Sequence, residues 1–350
     1  MLKKILSTTV VVFAISQISA QTDSTKKSSF SLTGSGDFYY RYDLNKAVTN
    51  NRTSFTNSQN SFELGMASLK AEHSIGKVSM VADLGFGRRA EEFSYNDANT
   101  MLAIKQLYLS YKIAPKVKLT VGSWATHVGY ELVDASANKN YSMSYMFSYG
   151  PFFHTGIKAE ITTSEKSVLT VGLANPTDLK SATGSNKFVI AQFATATKND
   201  KLKLYLNYQG GNASGDTRLS QIDAVVTYAA TDKFSVGFNA TTQSVQEKVS
   251  EKWESANSWW GTALYLGYNF SSKFGLNWRN ELLNDKKSVT AAGIGGSVFA
   301  STLSANFTID NLKIIPEIRL DNADTNAFLK SNGAATKSYS SFILAAVYSF

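Results

Sequence analysis

Charged residues recur at every second position in several segments of this sequence. Between residues 30 and 44, Asp37, Arg41 and Asp43 share one parity, while apolar and aromatic residues such as Phe38 and Tyr40 take the other. Side chains at alternate positions of a β-strand point to the same face, so these acids and bases would lie on one polar face. Facing rows of opposite charge create a transverse field that orients polar solutes in a narrow aqueous space. This spacing therefore predicts that the charges act on polar solutes through their electric field.

The same parity rule selects a set of inward-facing, lumen-lining residues if the strands close around water. A charge on a lipid-facing strand surface costs about 2–4 kcal/mol at the membrane midplane, so such residues must meet water or one another. The alternative is that they pair across neighbouring strands and have no role in transport. The predicted pore-lining residues are Asp37, Tyr39, Arg41, Asp43, Asp83, Arg89, Lys158, Glu160, Arg279, Glu281, Glu317 and Arg319.

Residues for covalent or metal chemistry are sparse. The sequence has three histidines, His73, His127 and His154, and no cysteine, which gives no support to a zinc site. It contains no nucleophile elbow, no phosphate-binding glycine-rich loop and no His-Glu-x-x-His pair. We therefore predict no catalytic residue, no cofactor and no metal. Calcium could meet oxygen ligands in the loops 57–60 and 321–326, although solvated polar loops explain them better.

The first twenty residues have the pattern of a secretory signal peptide. Lys3 and Lys4 precede an apolar run at 5–15, and small residues at 18–20 suit a cleavage site. The alternative is an N-terminal core strand. Removing the two lysines leaves 33 basic and 27 acidic residues of the 35 and 27 in the whole chain, a mild excess that does not favour nucleic acid. We expect residues 21–29 to form a short periplasmic segment before a barrel at 30–350.

Alternating polarity predicts sixteen strands and no long helix. Either a soluble sandwich or a transmembrane barrel would produce this alternation. Seven tight turns interleave with eight longer polar loops, which favours an all-β, transmembrane antiparallel barrel with short periplasmic turns and long extracellular loops. The predicted strands are 30–44, 61–73, 77–89, 103–113, 117–128, 155–163, 167–174, 187–197, 201–209, 219–229, 233–243, 258–270, 273–283, 293–309, 312–321 and 339–350.

Two segments depart from simple alternation or end it. In 61–73 the apolar set changes parity between Met66 and Leu69, which indicates either a β-bulge or a misplaced strand boundary. The last strand must pair with 30–44, because an unpaired edge cannot face hydrocarbon. Its aromatic ending resembles the C-terminal signal that the barrel assembly machinery reads in outer-membrane proteins, and the residues predicted to carry it are Phe342, Leu344, Tyr348 and Phe350.

The longest connection, 129–154, carries aromatic residues at a spacing of two, including Tyr141 and Tyr145. It either folds into the barrel and narrows it or projects outside as an extra hairpin. In the first case Glu131 and Asp134 would face cations in the pore.

Motifs between residues 106 and 187 resemble one family. They are Leu107-Tyr108-Leu109-Ser110-Tyr111, Gly122-Ser123-Trp124, Val128-Gly129-Tyr130-Glu131, Asn140-Tyr141-Ser142, Pro151-Phe152-Phe153-His154-Thr155-Gly156 and Asn175-Pro176. This set is similar to the OmpL-like β-barrel porins of Gram-negative outer membranes. The resemblance implies passive diffusion of small hydrophilic solutes, and resembling sixteen-stranded porins are often homotrimers. A non-conducting adhesin or scaffold and an outer-membrane barrel hydrolase remain the alternatives.

Overall fold

The computed structural model describes residues 28–213 and 215–350. The expected signal peptide, and residues 21–27 of the expected periplasmic segment, lie outside this part of the chain. Nineteen strands are present there: β1 Ser28–Asp43, β2 Ser61–Ile75, β3 Val78–Phe86, β4 Ile104–Ala114, β5 Val117–Ala125, β6 Phe153–Ser164, β7 Ser167–Ala174, β8 Phe188–Ala196, β9 Leu202–Asn212, β10 Thr217–Ala229, β11 Phe234–Val249, β12 Lys252–Trp253, β13 Asn257–Asn269, β14 Phe274–Asn284, β15 Ser297–Ile309, β16 Leu312–Ala323, β17 Phe328–Leu329, β18 Ala335–Thr336 and β19 Ser338–Ser349.

Sixteen of these strands form one closed antiparallel barrel. Each pairs with its neighbours in the chain, and β1 pairs with β19 to close the ring. The two-residue strands β12, β17 and β18 lie in the loops. In the closing pair Gly36 lies opposite Tyr348, and Gly34 and Phe350 exchange backbone hydrogen bonds of 3.0 and 2.9 Å. The predicted sixteen-stranded barrel and its closure are confirmed.

Short and long connections alternate around the barrel and define two ends, which we call the turn end and the loop end. Two residues separate β2 from β3 and β15 from β16, whereas residues 44–60 and 126–152 connect their strands at the loop end. One connection was predicted too long: β9 and β10 extend further than expected, and residues 213–216 alone join them.

The predicted strand 77–89 is also too long. β3 ends at Phe86, and Arg89 lies in the short helix α1 (Arg88–Phe93) instead of on a strand. The cause is Gly87, whose φ of 114° suits glycine and whose added Cβ would lie 2.6 Å from the Gly65 carbonyl oxygen. The chain therefore leaves the ladder there.

The other helices of the described residues are short. They are α2 (Tyr145–Ser148) and the 3₁₀ turns Asn99–Ala103 and Ala135–Ala137. No helix in this part of the chain has the length and apolarity needed to cross a membrane.

The bulge predicted in 61–73 is present between β1 and β2. Gly36 pairs with Ala67 but Phe38 pairs with Leu64, so that Gly65 and Met66 together lie opposite Asp37. The Met66 N–H donates to the Asp37 carboxylate at 3.1 Å. The bulge thereby helps to hold this carboxylate inside the barrel.

The two faces of the wall differ as the alternation predicts. Phe38 and Leu64 point outward and are 53% and 68% exposed, whereas their neighbours Asp37 and Arg41 point inward and are 4% and 1% exposed. An apolar exterior around a polar interior is the arrangement of a barrel that stands in lipid.

Candidate functional site in the barrel interior

The connection between β5 and β6 folds into the barrel. We call residues 126–152 the inner loop. Tyr141, Met143 and Tyr145 of this segment are fully buried, with no exposed surface. The aromatic residues at a spacing of two are thus buried inside the barrel. The structure does not show the alternative, an external hairpin.

An apolar cluster covers the loop-end side of the inner loop. Phe147 and Phe152 pack against Phe55 from the connection 44–60 and Phe93 from α1, with ring centroids 5.5–6.1 Å apart. Aromatic pairs at this separation add about 0.5–1.5 kcal/mol beyond the burial of their area. The connection 44–60, helix α1 and the inner loop therefore share one hydrophobic core at the loop end.

Polar groups of the wall hold the middle of the inner loop. The Tyr141 hydroxyl donates to Asp37 at 2.6 Å, and the backbone N–H groups of Tyr141 and Ser142 donate to the two oxygens of Glu317 at 2.7 and 3.0 Å. These carboxylates are nearly inaccessible to solvent. Hydrogen bonds to ionised groups are the stronger class, so β1 and β16 fix this part of the loop firmly.

A second set of contacts comes from β14 and β16. Arg279 pairs with Glu131 at 2.7 Å and donates to the Ser142 carbonyl at 2.6 Å. Arg319 donates to the Met143 carbonyl at 2.7 Å. Glu281 lies 3.2 Å from Arg279 and 3.3 Å from Arg319, so buried charges of both signs alternate. Such charges tolerate burial because each has a counter-charge and hydrogen bonds.

The predicted pore-lining residues fall into groups by what they contact. Asp37, Tyr39, Arg279, Glu281, Glu317 and Arg319 contact or pack against the inner loop. Arg41 donates to the Ser58 carbonyl at 2.6 Å and lies 4.0 Å from Asp43. Asp83 pairs with Lys105 at 3.2 Å, and Glu160 with Lys118 at 2.5 Å. Arg89 lies 3.7 Å from Asp37, and Lys158 lies over the Trp124 ring at 4.8 Å.

The carboxylates of the inner loop are also paired. Glu131 binds Arg279, and Asp134 lies 2.5 Å from Lys105. Glu131 is buried, whereas the Asp134 side chain is 28% exposed, and the role that the sequence suggested for these carboxylates stays a prediction.

Two of the cavities inside the barrel border different parts of the inner loop. The loop-end cavity, of about 510 Å³, is bordered by Tyr149, Asp178, Leu219 and Trp259 among others. The turn-end cavity, of about 520 Å³, is bordered by His127, Lys139, Lys158 and Thr227 among others. Strand β10 passes both, because Leu219 borders the first cavity and Val225 and Thr227 border the second.

Between the two cavities the wall carries a layer of four amide side chains and the carboxylate of Asp223. Gln209 donates to Gln221 at 2.8 Å, and Asn207 and Asn239 donate to Asp223 at 2.7 and 2.6 Å. All five are at most 3% exposed. We call these five residues the amide layer. The sequence prediction named none of these residues, although they keep lumen parity on β9, β10 and β11.

One titratable group at the loop end fixes the end of the inner loop. Asp178 accepts hydrogen bonds from the backbone N–H groups of Phe152 and Phe153 at 2.7 and 3.0 Å and from the Tyr95 hydroxyl at 3.1 Å. Burial raises the pKa of Asp178 to about 7 despite these bonds. Its charge therefore changes within the physiological range.

A sixteen-stranded barrel with an apolar exterior, a polar interior and a long internal loop defines a porin-type outer-membrane barrel. The sequence profile of the family described as beta-barrel porin-2, OmpL-like, matches residues 29–350. The chain belongs to this family of outer-membrane porins, as its motifs predicted, and its exterior contacts outer-membrane lipid.

Solved structures show the same fold at low sequence identity. The outer-membrane channel DcaP of Acinetobacter baumannii is 12% identical, with a TM-score of 0.63 over 92% of this chain and 97% of that one. An anion-selective porin from Comamonas acidovorans is 11% identical, with a TM-score of 0.63 over 93% and 100%. OmpF of Salmonella typhi, solved with daunomycin, is 14% identical, with a TM-score of 0.59 over 92% and 97%. No curated sequence matches the chain significantly.

Proposed function

We propose that this porin is a passive diffusion channel for small hydrophilic solutes. The observation that carries the proposal is the pair of cavities along β10, of about 510 and 520 Å³, separated by the amide layer. Four of the five side chains in the layer are amides, which donate and accept hydrogen bonds without carrying a charge, and the Asp223 oxygens accept from two of them. The layer therefore suits a path for polar solutes.

The proposed path runs along β8–β11. The charged residues on the other side of the barrel hold the inner loop in place. Five residues of the charged wall form hydrogen bonds with the inner loop and are therefore positioning residues. They are Asp37, Arg279, Glu281, Glu317 and Arg319. Lys158 faces the turn-end cavity and is the predicted pore-lining residue that lies on the proposed path. The inner loop is the constriction on this proposal.

Four further properties belong to the proposal. The first twenty residues direct export and are removed. The barrel assembly machinery reads the last strand, where Phe342, Leu344, Tyr348 and Phe350 point outward in agreement with such recognition. The barrel assembles as a homotrimer, and it performs no catalysis.

Reconstitution tests the function. Purified protein in planar bilayers should give stepwise, ohmic openings, and liposomes containing it should swell in sugars and amino acids. A silent bilayer from protein that keeps its β-sheet spectrum would support an adhesin or scaffold instead. Labelling by a serine-directed hydrolase probe would support the barrel hydrolase.

A further inference from the structure

The turn-end cavity has a one-sided charge. Its lining includes Lys139 from the inner loop and Lys158 from β6, and among the residues that the structure describes no aspartate or glutamate lines it. The loop-end cavity is the reverse, with Glu92 and Asp178 and no lysine or arginine in its described lining. The chain's mild positive excess is therefore not spread evenly along the barrel interior.

Neither lysine forms an ion pair with a carboxylate of the described residues, although Glu160, two residues along β6, acts electrostatically on Lys158. Lys158 lies over the Trp124 ring, with its nitrogen 4.8 Å from the ring centroid, and forms no hydrogen bond or ion pair with the described residues. Lys139 hydrogen-bonds the Ser235 hydroxyl and no carboxylate in the described chain. By contrast, Lys105 and Lys118 inside the same barrel each have an acidic partner within 3.2 Å. Two unpaired ammonium groups facing one cavity attract an anion.

Neutral hydrogen-bonding groups complete the lining. Gln192, Thr126 and Tyr205 border the cavity beside the lysines. The Gln192 amide already donates to the His127 carbonyl and to Asn207, so the hydroxyl groups are the neutral donors that remain. His127 is a weaker source of charge, because burial lowers its pKa to about 4. Burial also lowers the pKa of Lys139, and a bound anion would offset that loss. The cavity, at about 520 Å³, is within the range of small-molecule sites.

We propose that the turn-end cavity is a binding site for small anions with carboxylate or phosphate oxygens, held by Lys139 and Lys158. The proposal deepens the proposed function, because an anion held there lies on the solute path. It would also make conduction asymmetric, since an anion entering from the turn end meets the lysines first, and one entering from the loop end meets Glu92 and Asp178 first.

Calorimetry on the full barrel in a nonionic detergent tests the site without requiring transport. Citrate and inorganic phosphate are the two probes, and glycerol is the uncharged control. We expect citrate or phosphate to bind and glycerol to give no signal. K158Q and K139Q should each weaken anion binding at least tenfold, the double variant should abolish it, and K158R should restore most of it.

Two controls make the result specific. Lys166 lies at the turn end outside the cavity and pairs with Asp200 at 2.6 Å, so K166Q should bind like the wild type. Anion binding should change the tryptophan emission, and W124F should remove most of that change, because Lys158 contacts Trp124.

The outcomes are distinct from those of the conductance test. Absence of anion binding by the wild type, or wild-type affinity in the folded double variant, overturns the site whether or not the barrel conducts. Anion binding by a barrel that is silent in bilayers would keep the site and overturn the diffusion channel. Heat-modifiable migration in detergent gels verifies that each variant is folded.

Discussion

At Arg279, one guanidinium contacts the carboxylate of Glu131 and the carbonyls of Ser142 and Met143. It is fully buried, and Glu281 is its counter-charge on the same strand. Its role is therefore to tie the inner loop to β14. A charge reversal there would detach the loop as well as change the field in the pore.

We expect R279Q to loosen the inner loop while leaving the wall intact. Removing one partner of a buried ion pair costs about 3–5 kcal/mol, because Glu131 and Glu281 would keep their burial and lose a counter-charge. Trypsin should then cleave after Lys139, and single-channel conductance should rise.

R88Q is the matched control. Arg88 pairs with Glu63 at 3.1 Å with half of its own side chain exposed, so its loss should cost about 0–1 kcal/mol. Equal trypsin resistance and equal conductance in R279Q and R88Q would contradict the anchoring role of Arg279.

The raised pKa of Asp178 predicts that the stability of the end of the inner loop depends on pH. Its pKa of about 7 in the folded state is above the ordinary 3.8, so its protonated form contributes stability that is complete below pH 3.8 and lost as pH rises through 7. Local opening around Phe152 and Phe153 should therefore increase between pH 5 and 8.

Hydrogen exchange of the Phe152 and Phe153 amides, corrected for the intrinsic exchange rate, measures that opening. D178N keeps an acceptor for both amides but cannot ionise, so its corrected exchange should not vary with pH. A pH-independent wild type would show that the ionisation of Asp178 is not coupled to the loop.

At the scale of elements, alternation predicted the sixteen strands because each strand has one face in lipid and one in the interior. The contacts of the inner loop were beyond such reasoning, since Tyr141 and Glu317 are 176 residues apart and no local pattern relates them. The bulge at Gly65 was predictable, because a change of parity in the sequence corresponds to an extra residue in the ladder.

The close contact of Gly122 in β5 with β4 predicts that this position requires glycine. Gly122 has a φ of 130°, and a Cβ there would lie 2.2 Å from the backbone oxygen of Leu107 on β4. G122A should therefore lower the midpoint of urea unfolding and the folded yield, with strain of about 1–3 kcal/mol or more. Gly129 also has a positive φ, 94°, but no atom lies within 4 Å of its added Cβ.

G129A is accordingly the control, because it tests the positive φ without the backbone contact. Its loss of stability should be clearly smaller than that of G122A. Equal losses would show that the close approach of β4 is not what requires glycine at position 122.

On the scale of the whole molecule, closure depends on β1 and β19, which the sequence predicted from both ends of the chain. The proposed path along β8–β11 was not predicted, because the sequence placed the pore at its charged residues. In the folded barrel most of those charges have a hydrogen-bond or ion-pair partner, Lys158 being the exception among the described residues, and neutral side chains such as Gln192 and Thr227 border the turn-end cavity.

A substitution at Phe350 can separate the pairing of β1 with β19 from recognition by the barrel assembly machinery. F350A keeps the backbone hydrogen bonds with Gly34 and removes only the outward-facing ring. Refolding of F350A into detergent micelles should match that of the wild type, whereas assembly in cells should fall severalfold, measured as heat-modifiable protein in outer-membrane fractions. Equal losses in both settings would mean that the ring serves stability and not the assembly machinery.

The inner loop enters from β5 and returns to β6, which are adjacent strands of the wall. The inner loop is thus one uninterrupted stretch of sequence, attached at neighbouring points of the ring. Such a stretch can be exchanged as a cassette with no cut through the ladder. New permeability could therefore arise in evolution, or at the bench, while the shell stays as it is.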